Sequence, residues 1–177
     1  MEPRGTEPAF RGRFLSVDVE DWPGLPPYEV VHHLGAAAVL PITPAGQVVL
    51  VRQFRPAIRQ TITEIPAGLL DVEGEDALTC ATRELFEETG YRHTEIAFMG
   101  GVYVSPGFTD EYMHLFWAWT EASPSGQPEP GVEVIRMPLY RAVAQARAGK
   151  VRNATTALGL LLAASVPTLR DAASPPA

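Results

Sequence analysis

The stretch GLLDVEGEDALTCATRELFEETGY, residues 68–91, joins an acidic loop to the most strongly predicted helix of the chain. The pattern predicts a helix over 76–89, because Asp76 suits the N-cap and Gly90 suits the C′ position that ends a helix. Seven residues of the stretch are Asp or Glu, and only Arg83 is basic. This concentration of negative charge indicates either a solvated helix face or a metal site.

The helix places two of its carboxylates beside its apolar face rather than opposite it. At ~100° per residue, four apolar side chains share an arc of about 100° that predicts the buried face: Ala77, Leu78, Ala81 and Leu85. Glu84 and Glu88 stack at the edge of this arc, where like charges repel by about 0.2–0.5 kcal/mol and buried charge is costly. A divalent cation, which prefers oxygen ligands, would offset that cost. The spacing therefore favours a metal site, with a solvated face as the alternative.

The spacing R-E-x-x-E-E-x-G-Y begins at Arg83, and Gly68 and Glu75 precede it. This pattern resembles the signature of the Nudix hydrolases, G-x5-E-x7-R-E-U-x-E-E-x-G-U, in which U is a bulky apolar residue. The segment from Glu75 to Tyr91 fits the signature, but six residues separate Gly68 from Glu75 where the signature has five. The extra residue leaves open the role of Glu75 and the backbone carbonyl that turns toward the metal.

The Nudix resemblance implies a fold and a cation. The implied fold is of the α/β class, a Nudix α/β/α sandwich with a mixed β-sheet, plus a small N-terminal β segment. The implied cation is Mg²⁺, with Mn²⁺ or Zn²⁺ as substitutes. Its implied ligands are Glu84, Glu87, Glu88 and the carbonyl of Ala67, and Glu84 and Glu88 also count as catalytic. Arg83 would hold the Glu87 carboxylate in place four residues away, with an ordinary surface ion pair as the alternative.

Within the family, most of the chain resembles the ADP-ribose pyrophosphatases. The motif VSPGFTDE (104–111) places Pro106 sixteen residues after Gly90, a spacing associated with ADP-ribose specificity. The resemblance implies Mg²⁺-dependent hydrolysis of ADP-ribose to AMP and ribose 5-phosphate. One alternative is a Nudix pyrophosphatase for another nucleotide sugar or a dinucleotide. The other is a non-catalytic nucleotide sensor, which the presence of all three helix glutamates disfavours.

The same resemblance implies a catalytic base on the loop before the last strand, which is 121–131 in this chain. Glu129 is the predicted base because it lies on this loop, nine residues before Pro138. The loop is rich in Pro, Ser and Gly and is predicted to be flexible. Glu133 is the alternative, although it also fits an outward-facing position of the strand that follows.

Further residues are predicted to bind substrate. Arg52 and Arg55 lie on or after the strand VVLVRQFR, from which an arginine is suited to grip a phosphate with two hydrogen bonds. Glu111 is predicted to contact a ribose hydroxyl, with a solvated strand-start acid as the alternative. The predicted substrate-binding set is Arg55, Arg52, Glu64, Gly68, Glu111 and Pro106.

Strands outnumber helices along the rest of the chain, which predicts a mixed sheet packed by a few helices. Residues 1–9 are predicted to be mobile, because prolines and mixed charge favour no regular element. The predicted organisation is an N-terminal β-strand segment over 1–33, a Nudix domain over 34–170 and a disordered tail over 171–177. The resemblance implies that the first of these builds a homodimer.

Composition excludes several classes of protein. The 177 residues carry a formal net charge of −7 and no basic run, which disfavours nucleic acid as a partner. The longest apolar run, at 157–164, is too short to span a membrane, so we expect no membrane partner. The single cysteine, Cys80, excludes a disulfide framework within the chain, and we therefore expect a cytoplasmic protein.

Overall fold

A computed structural model describes residues 1–174 as two sheets and three α-helices. A three-stranded antiparallel sheet contains β1 (Gly5–Arg11), β2 (Leu15–Asp21) and β3 (Tyr28–His33). A seven-stranded sheet follows the order β10-β5-β4-β9-β8, with β6 paired to β5 and β7 paired to β4. Its strands are β4 (Ala36–Ile42), β5 (Gln47–Arg55), β6 (Gln60–Glu64), β7 (Ala67–Leu69), β8 (His93–Tyr103), β9 (Tyr112–Thr120) and β10 (Glu133–Pro138). The helices are α1 (Ala77–Thr89), α2 (Leu139–Arg147) and α3 (Ala154–Ala163).

The large sheet is mixed because β4 pairs in parallel with β9, whereas its other pairings are antiparallel. All seven residues of β4 are buried, since helices cover both faces of the sheet. Leu40 belongs to the core cluster that includes residues of α2 and α3, and Val39 belongs to the cluster that includes residues of α1. This layering confirms the predicted α/β/α sandwich.

Helix α1 begins and ends where the sequence predicts. The Asp76 side chain accepts a hydrogen bond from the Thr79 backbone N–H at 2.7 Å, and Gly90 adopts a left-handed φ of 72°. The predicted buried face is wrong at Leu78, which is 43% exposed. The buried side of the helix instead includes Cys80, whose Sγ lies 3.4 Å from the carbonyl oxygen of Leu69 at the end of β7.

The N-terminal sheet docks on its own chain. Val31 N–H donates to the Phe108 carbonyl at 2.7 Å, and Asp110 N–H donates to the Val31 carbonyl at 3.2 Å. The predicted mobility of residues 1–9 is wrong over β1, which pairs along its length with β2. A shift in register after Pro8 lets the strand accommodate a proline, which cannot donate a ladder hydrogen bond.

The C-terminal chain folds back over α3 beyond the expected boundary. A 3₁₀ turn covers Pro167–Leu169, and both Leu169 and Ala173 are buried in the main core. The predicted disordered tail over 171–177 is therefore wrong at its start, because burial of apolar side chains holds this part in place. Residues 175–177 lie outside the described residues. Across 1–174, none of the helices has the length and apolar character needed to cross a bilayer.

Candidate active site

The acidic edge of α1 lies directly against Gly68 in β7. A Cβ atom added to Gly68 would stand 1.9 Å from Glu84 Oε1 and 2.0 Å from its Cδ. The backbone φ of Gly68 is not in the left-handed region, so conformational freedom does not explain the glycine. A side chain at this position would displace the Glu84 carboxylate, which occupies its space.

Arg83 binds three carboxylates. Its Nε and Nη2 donate to both oxygens of Glu75 at 2.9 Å, while its Nη1 donates to Glu84 at 2.5 Å and to Glu87 at 3.0 Å. The expected contact with Glu87 is therefore present. The contact with Glu75 shows that the loop with one extra residue still returns this carboxylate to the helix. Three negative charges face one positive charge in this group.

Glu88 is the most deeply buried carboxylate of the helix, with 6% of its surface exposed. It accepts hydrogen bonds from Gln53 Nε2 at 3.2 Å and from the backbone N–H of Ala67 at 3.1 Å. Burial raises the pKa of Glu88 to about 7, and the Ala67 hydrogen bond acts against that rise. Ala67 thus meets the carboxylate through its N–H, and its predicted carbonyl contact with a metal remains a prediction.

Burial also raises the pKa of Glu84, although its hydrogen bond with Arg83 opposes the rise. In both carboxylates burial is the main cause of the raised pKa, because it disfavours the charged form, and repulsion between neighbouring carboxylates adds to it. Oxygen ligands and unbalanced negative charge fit a hard divalent cation. Among residues 1–174, no three His, Cys, Asp or Glu side chains are already gathered around one metal position. The hydrogen bonds of Glu84 with Arg83 and of Glu88 with Gln53 and Ala67 hold these carboxylates in their present positions.

The two arginines of β5 lie in different surroundings, since successive side chains of a strand point to opposite faces. Arg55 Nε donates to Glu64 Oε2 at 2.6 Å, and Asn153 Nδ2 donates to Glu64 Oε1 at 2.6 Å. Arg52 lies on the other face, 3.5 Å from the exposed Glu133. Arg55 also lies near enough to Glu88 for its charge to lower that pKa. The structure therefore brings Arg55 and Glu64 toward the acidic edge and turns Arg52 away from it.

Sequence reasoning missed Gln53 and Asn153. Gln53 lies two residues before Arg55 and thus on the same face of β5, a signal that strand alternation provides. Asn153 lies 89 residues from Glu64, and only its role as N-cap of α3 could be read from the sequence.

The loop 121–131 is attached to α1 by backbone hydrogen bonds rather than free. Glu129 N–H donates to the Glu87 carbonyl at 2.9 Å, which places Glu129 beside the acidic helix. The charge of Glu129 contributes, after burial and the nearby Glu87, to the raised pKa of Glu84. Of the two candidate bases, Glu129 lies next to the carboxylate cluster and Glu133 pairs with Arg52.

Pro106 and Glu111 lie between β8 and β9, on the loop that receives the N-terminal sheet. Pro106 lines a cavity of about 270 Å³ together with Tyr28, Tyr103 and Phe108. The Glu111 backbone carbonyl accepts a hydrogen bond from Val104 N–H at 3.1 Å. Both residues make local contacts with this loop, and their predicted substrate roles remain predictions.

The chain is similar to known proteins in sequence and in structure. The NUDIX domain model matches residues 31–157. An ADP-ribose pyrophosphatase of Bacillus subtilis (strain 168) is 37% identical over 163 residues, covering 87% of each chain. A GDP-mannose pyrophosphatase of Cronobacter sakazakii is 36% identical over 70% of each chain. A crystal structure of an ADP compounds hydrolase superposes with a TM-score of 0.75 at 22% identity, covering 93% of this chain and 94% of the other.

Proposed function

This chain belongs to the Nudix hydrolase family, and we propose that it hydrolyses the pyrophosphate bond of ADP-ribose to AMP and ribose 5-phosphate. The observation that carries the proposal is the pair Glu84 and Glu88, buried against Gly68 and Ala67. Its substrate is supported by the ADP-ribose pyrophosphatase of similar length and sequence. Burial and hydrogen bonding of this pair support a site built for catalysis over a solvated helix face.

Members of this family generally need a divalent cation, and we propose Mg²⁺ here. Glu84, Glu87, Glu88 and the Ala67 carbonyl would hold it, with Mn²⁺ or Zn²⁺ as substitutes. When bound, such a cation neutralises the charge of a pyrophosphate and helps to position water for attack. Carboxylate oxygens at a buried, negatively charged edge fit this role.

The protein residues around the pair position it. Arg83 ties Glu84 to Glu75 and Glu87, and Gln53 orients Glu88. Fixed carboxylates lower the cost of assembling the reactive geometry. Gly68, expected to bind substrate, contributes first by leaving room for the Glu84 carboxylate.

Glu129 is the proposed base that removes a proton from the attacking water. Its support is the backbone hydrogen bond that brings it beside α1. Glu129→Gln should lower kcat by about 10²-fold or more with little change in KM, because the amide accepts no proton. Glu133→Gln is the matched control and should retain most of the activity. If Glu133→Gln shows the larger loss instead, the assignment moves to Glu133.

Arg55 is the proposed phosphate-binding arginine, because it lies on the face of β5 that bears Gln53. Glu64, held by Arg55 and Asn153, is proposed to orient that guanidinium and to contact substrate. The sequence predicts the same role for Arg52, but its contact with Glu133 on the opposite face gives it weaker support. Pro106 and Glu111 are proposed to contact the ribose side of the substrate from their loop.

A second candidate function is hydrolysis of another nucleotide sugar, favoured by the similarity to a GDP-mannose pyrophosphatase. Chromatography of products separates the two. With ADP-ribose and Mg²⁺, we expect AMP and ribose 5-phosphate in equal amounts, and no products when EDTA is present or when Glu88 is replaced by Gln. Turnover of GDP-mannose with none of ADP-ribose would support the second candidate.

The N-terminal sheet is proposed to form a homodimer interface. Every residue of β1 is exposed, and Phe10 and Phe14 are 55% and 49% exposed, so this sheet offers apolar surface to a second copy. Light scattering should give twice the mass of one chain, and a monomer at micromolar concentration would contradict the proposal.

A cytoplasmic location is proposed from the single cysteine.

A further inference from the structure

The loop that bears Glu129 is joined to the end of α1 by three backbone hydrogen bonds. The Gly90 carbonyl accepts from Ser125 N–H at 2.9 Å and from Gly126 N–H at 3.0 Å, and the Glu87 carbonyl accepts from Glu129 N–H at 2.9 Å. The last carbonyls of a helix have no partner within the helix. The loop thus supplies donors to Glu87 in the last turn and to Gly90 just beyond it.

This attachment needs two glycines face to face. A Cβ atom on Gly126 would lie 2.7 Å from Phe86 Cζ and 2.9 Å from its Cε2. A Cβ atom on Gly90 would lie 2.4 Å from the Gly126 carbonyl oxygen. Such separations are shorter than those of real Cβ contacts, so a side chain at Gly90 would displace the loop backbone. A side chain at Gly126 would displace the Phe86 ring or the loop.

The two glycines differ in their backbones. Gly90 has a left-handed φ of 72° and ends the helix, so a substitution there would disturb two features at once. Gly126 does not have a left-handed φ. Alanine at position 126 would therefore fit the backbone. Its Cβ would be too close to the Phe86 ring, while its distance of 3.4 Å from Gly90 Cα would be an ordinary contact.

We propose that Gly126 is a positioning residue, which places Glu129 beside the acidic helix by allowing the loop to dock on Gly90. The inference rests on the proposed function through the role of Glu129. Glu129 follows Gly126 by three residues, and the hydrogen bonds at Gly126 and Glu129 hold both ends of this short segment. A shift at Gly126 is therefore transmitted to the base.

The test is Gly126→Ala, measured with ADP-ribose and Mg²⁺. The new Cβ would be about 0.7 Å short of an ordinary contact of 3.4 Å with the Phe86 ring. Since displacement by about 1 Å can cost about 10²-fold in rate, we expect kcat to fall about tenfold with KM changed by less than about twofold. We also expect faster amide hydrogen exchange at Gly126 and Glu129, which reports loss of the backbone contacts.

Two controls separate positioning from a general effect on the loop. Ser125→Ala keeps the N–H that binds Gly90 and changes an exposed side chain, so it should retain wild-type kcat. Phe86→Leu removes the ring atoms that a Cβ at position 126 would meet. Gly126→Ala should therefore lower kcat less in the Phe86→Leu background than in the wild-type background.

A kcat for Gly126→Ala within about twofold of wild type, or an equal loss in Ser125→Ala, would overturn the inference. The failure of the proposed function is separately visible. If Glu129→Gln kept full activity, Glu129 would not be the base, and this inference would be wrong. Hydrolysis of ADP-ribose by the wild-type protein would still support the pyrophosphatase function. If a different nucleotide sugar proves to be the substrate, the same variants measured on it give the same decision.

Discussion

Replacing Gly68 by alanine adds one carbon atom, the Cβ, beside the Glu84 carboxylate. The backbone φ at this position is not left-handed, so alanine adds no conformational strain of that kind. The added Cβ would stand 1.9 Å from Glu84 Oε1, 2.0 Å from Cδ and 2.6 Å from Cγ. Glu84 must therefore leave its present position for the variant to fold.

The size of the effect follows from these distances. An ordinary contact begins at 3.4 Å, so the Glu84 carboxylate must move by roughly 1.5 Å. A misplacement of about 1 Å can cost about 10²-fold in rate, and each tenfold loss corresponds to about 1.4 kcal/mol of transition-state stabilisation. We therefore expect Gly68→Ala to lower kcat by about 10²-fold or more, equivalent to about 3 kcal/mol.

The assay is steady-state hydrolysis of ADP-ribose over a range of Mg²⁺ concentrations, with thermal unfolding measured in parallel. The apparent affinity for Mg²⁺ should weaken together with kcat, since Glu84 is a proposed ligand. Gly5→Ala is the matched control, because Gly5 lies in β1 and its added Cβ would meet no atom within 4 Å. A folded Gly68→Ala variant with kcat within about threefold of wild type would refute this reasoning.

Arg83→Lys should lower kcat by about tenfold or more, because a lysine cannot reproduce the paired contact with Glu75 while also binding Glu84 and Glu87; a variant with unchanged kcat would contradict this. Glu88 should make stability depend on pH in the presence of EDTA. Its pKa rises from 4.5 to about 7 on folding, so the folded state keeps a proton that the unfolded state loses. The free energy of unfolding should therefore fall as pH rises from about 4.5 to about 7 and level off above. Urea unfolding at several pH values measures this slope, and Glu88→Gln should remove it.

Features fixed by neighbouring residues could be predicted from the sequence. Asp76 and Gly90 bound α1 because an N-cap and a left-handed C′ residue act within one turn. The strand at 47–55 matches β5, because its β-branched run favours an extended chain. The adjacency of Glu84 and Glu88 on α1 could be predicted because helical spacing alone sets them side by side.

Features that depend on distant pairing could not be predicted in the same way. Arg83 meets Glu75 only because the loop between them folds back onto the helix. The prolines and mixed charge of residues 1–9 predict a mobile terminus, whereas pairing with β2 makes Gly5–Arg11 a strand. The docking of Gly126 on Gly90 depends on close approach of two backbones, and a loop rich in glycine and proline carries no local sign of it.

The most direct test of the central claim is kcat/KM for the wild-type protein with Mg²⁺ across ADP-ribose, other ADP-sugars, GDP-mannose, dinucleotides and nucleoside triphosphates. The account predicts that ADP-ribose is among the best substrates, that AMP and ribose 5-phosphate are its products, and that Glu84→Gln and Glu88→Gln abolish turnover. Hydrolysis of ADP-ribose that is much slower than that of GDP-mannose, or that survives both substitutions, would contradict it.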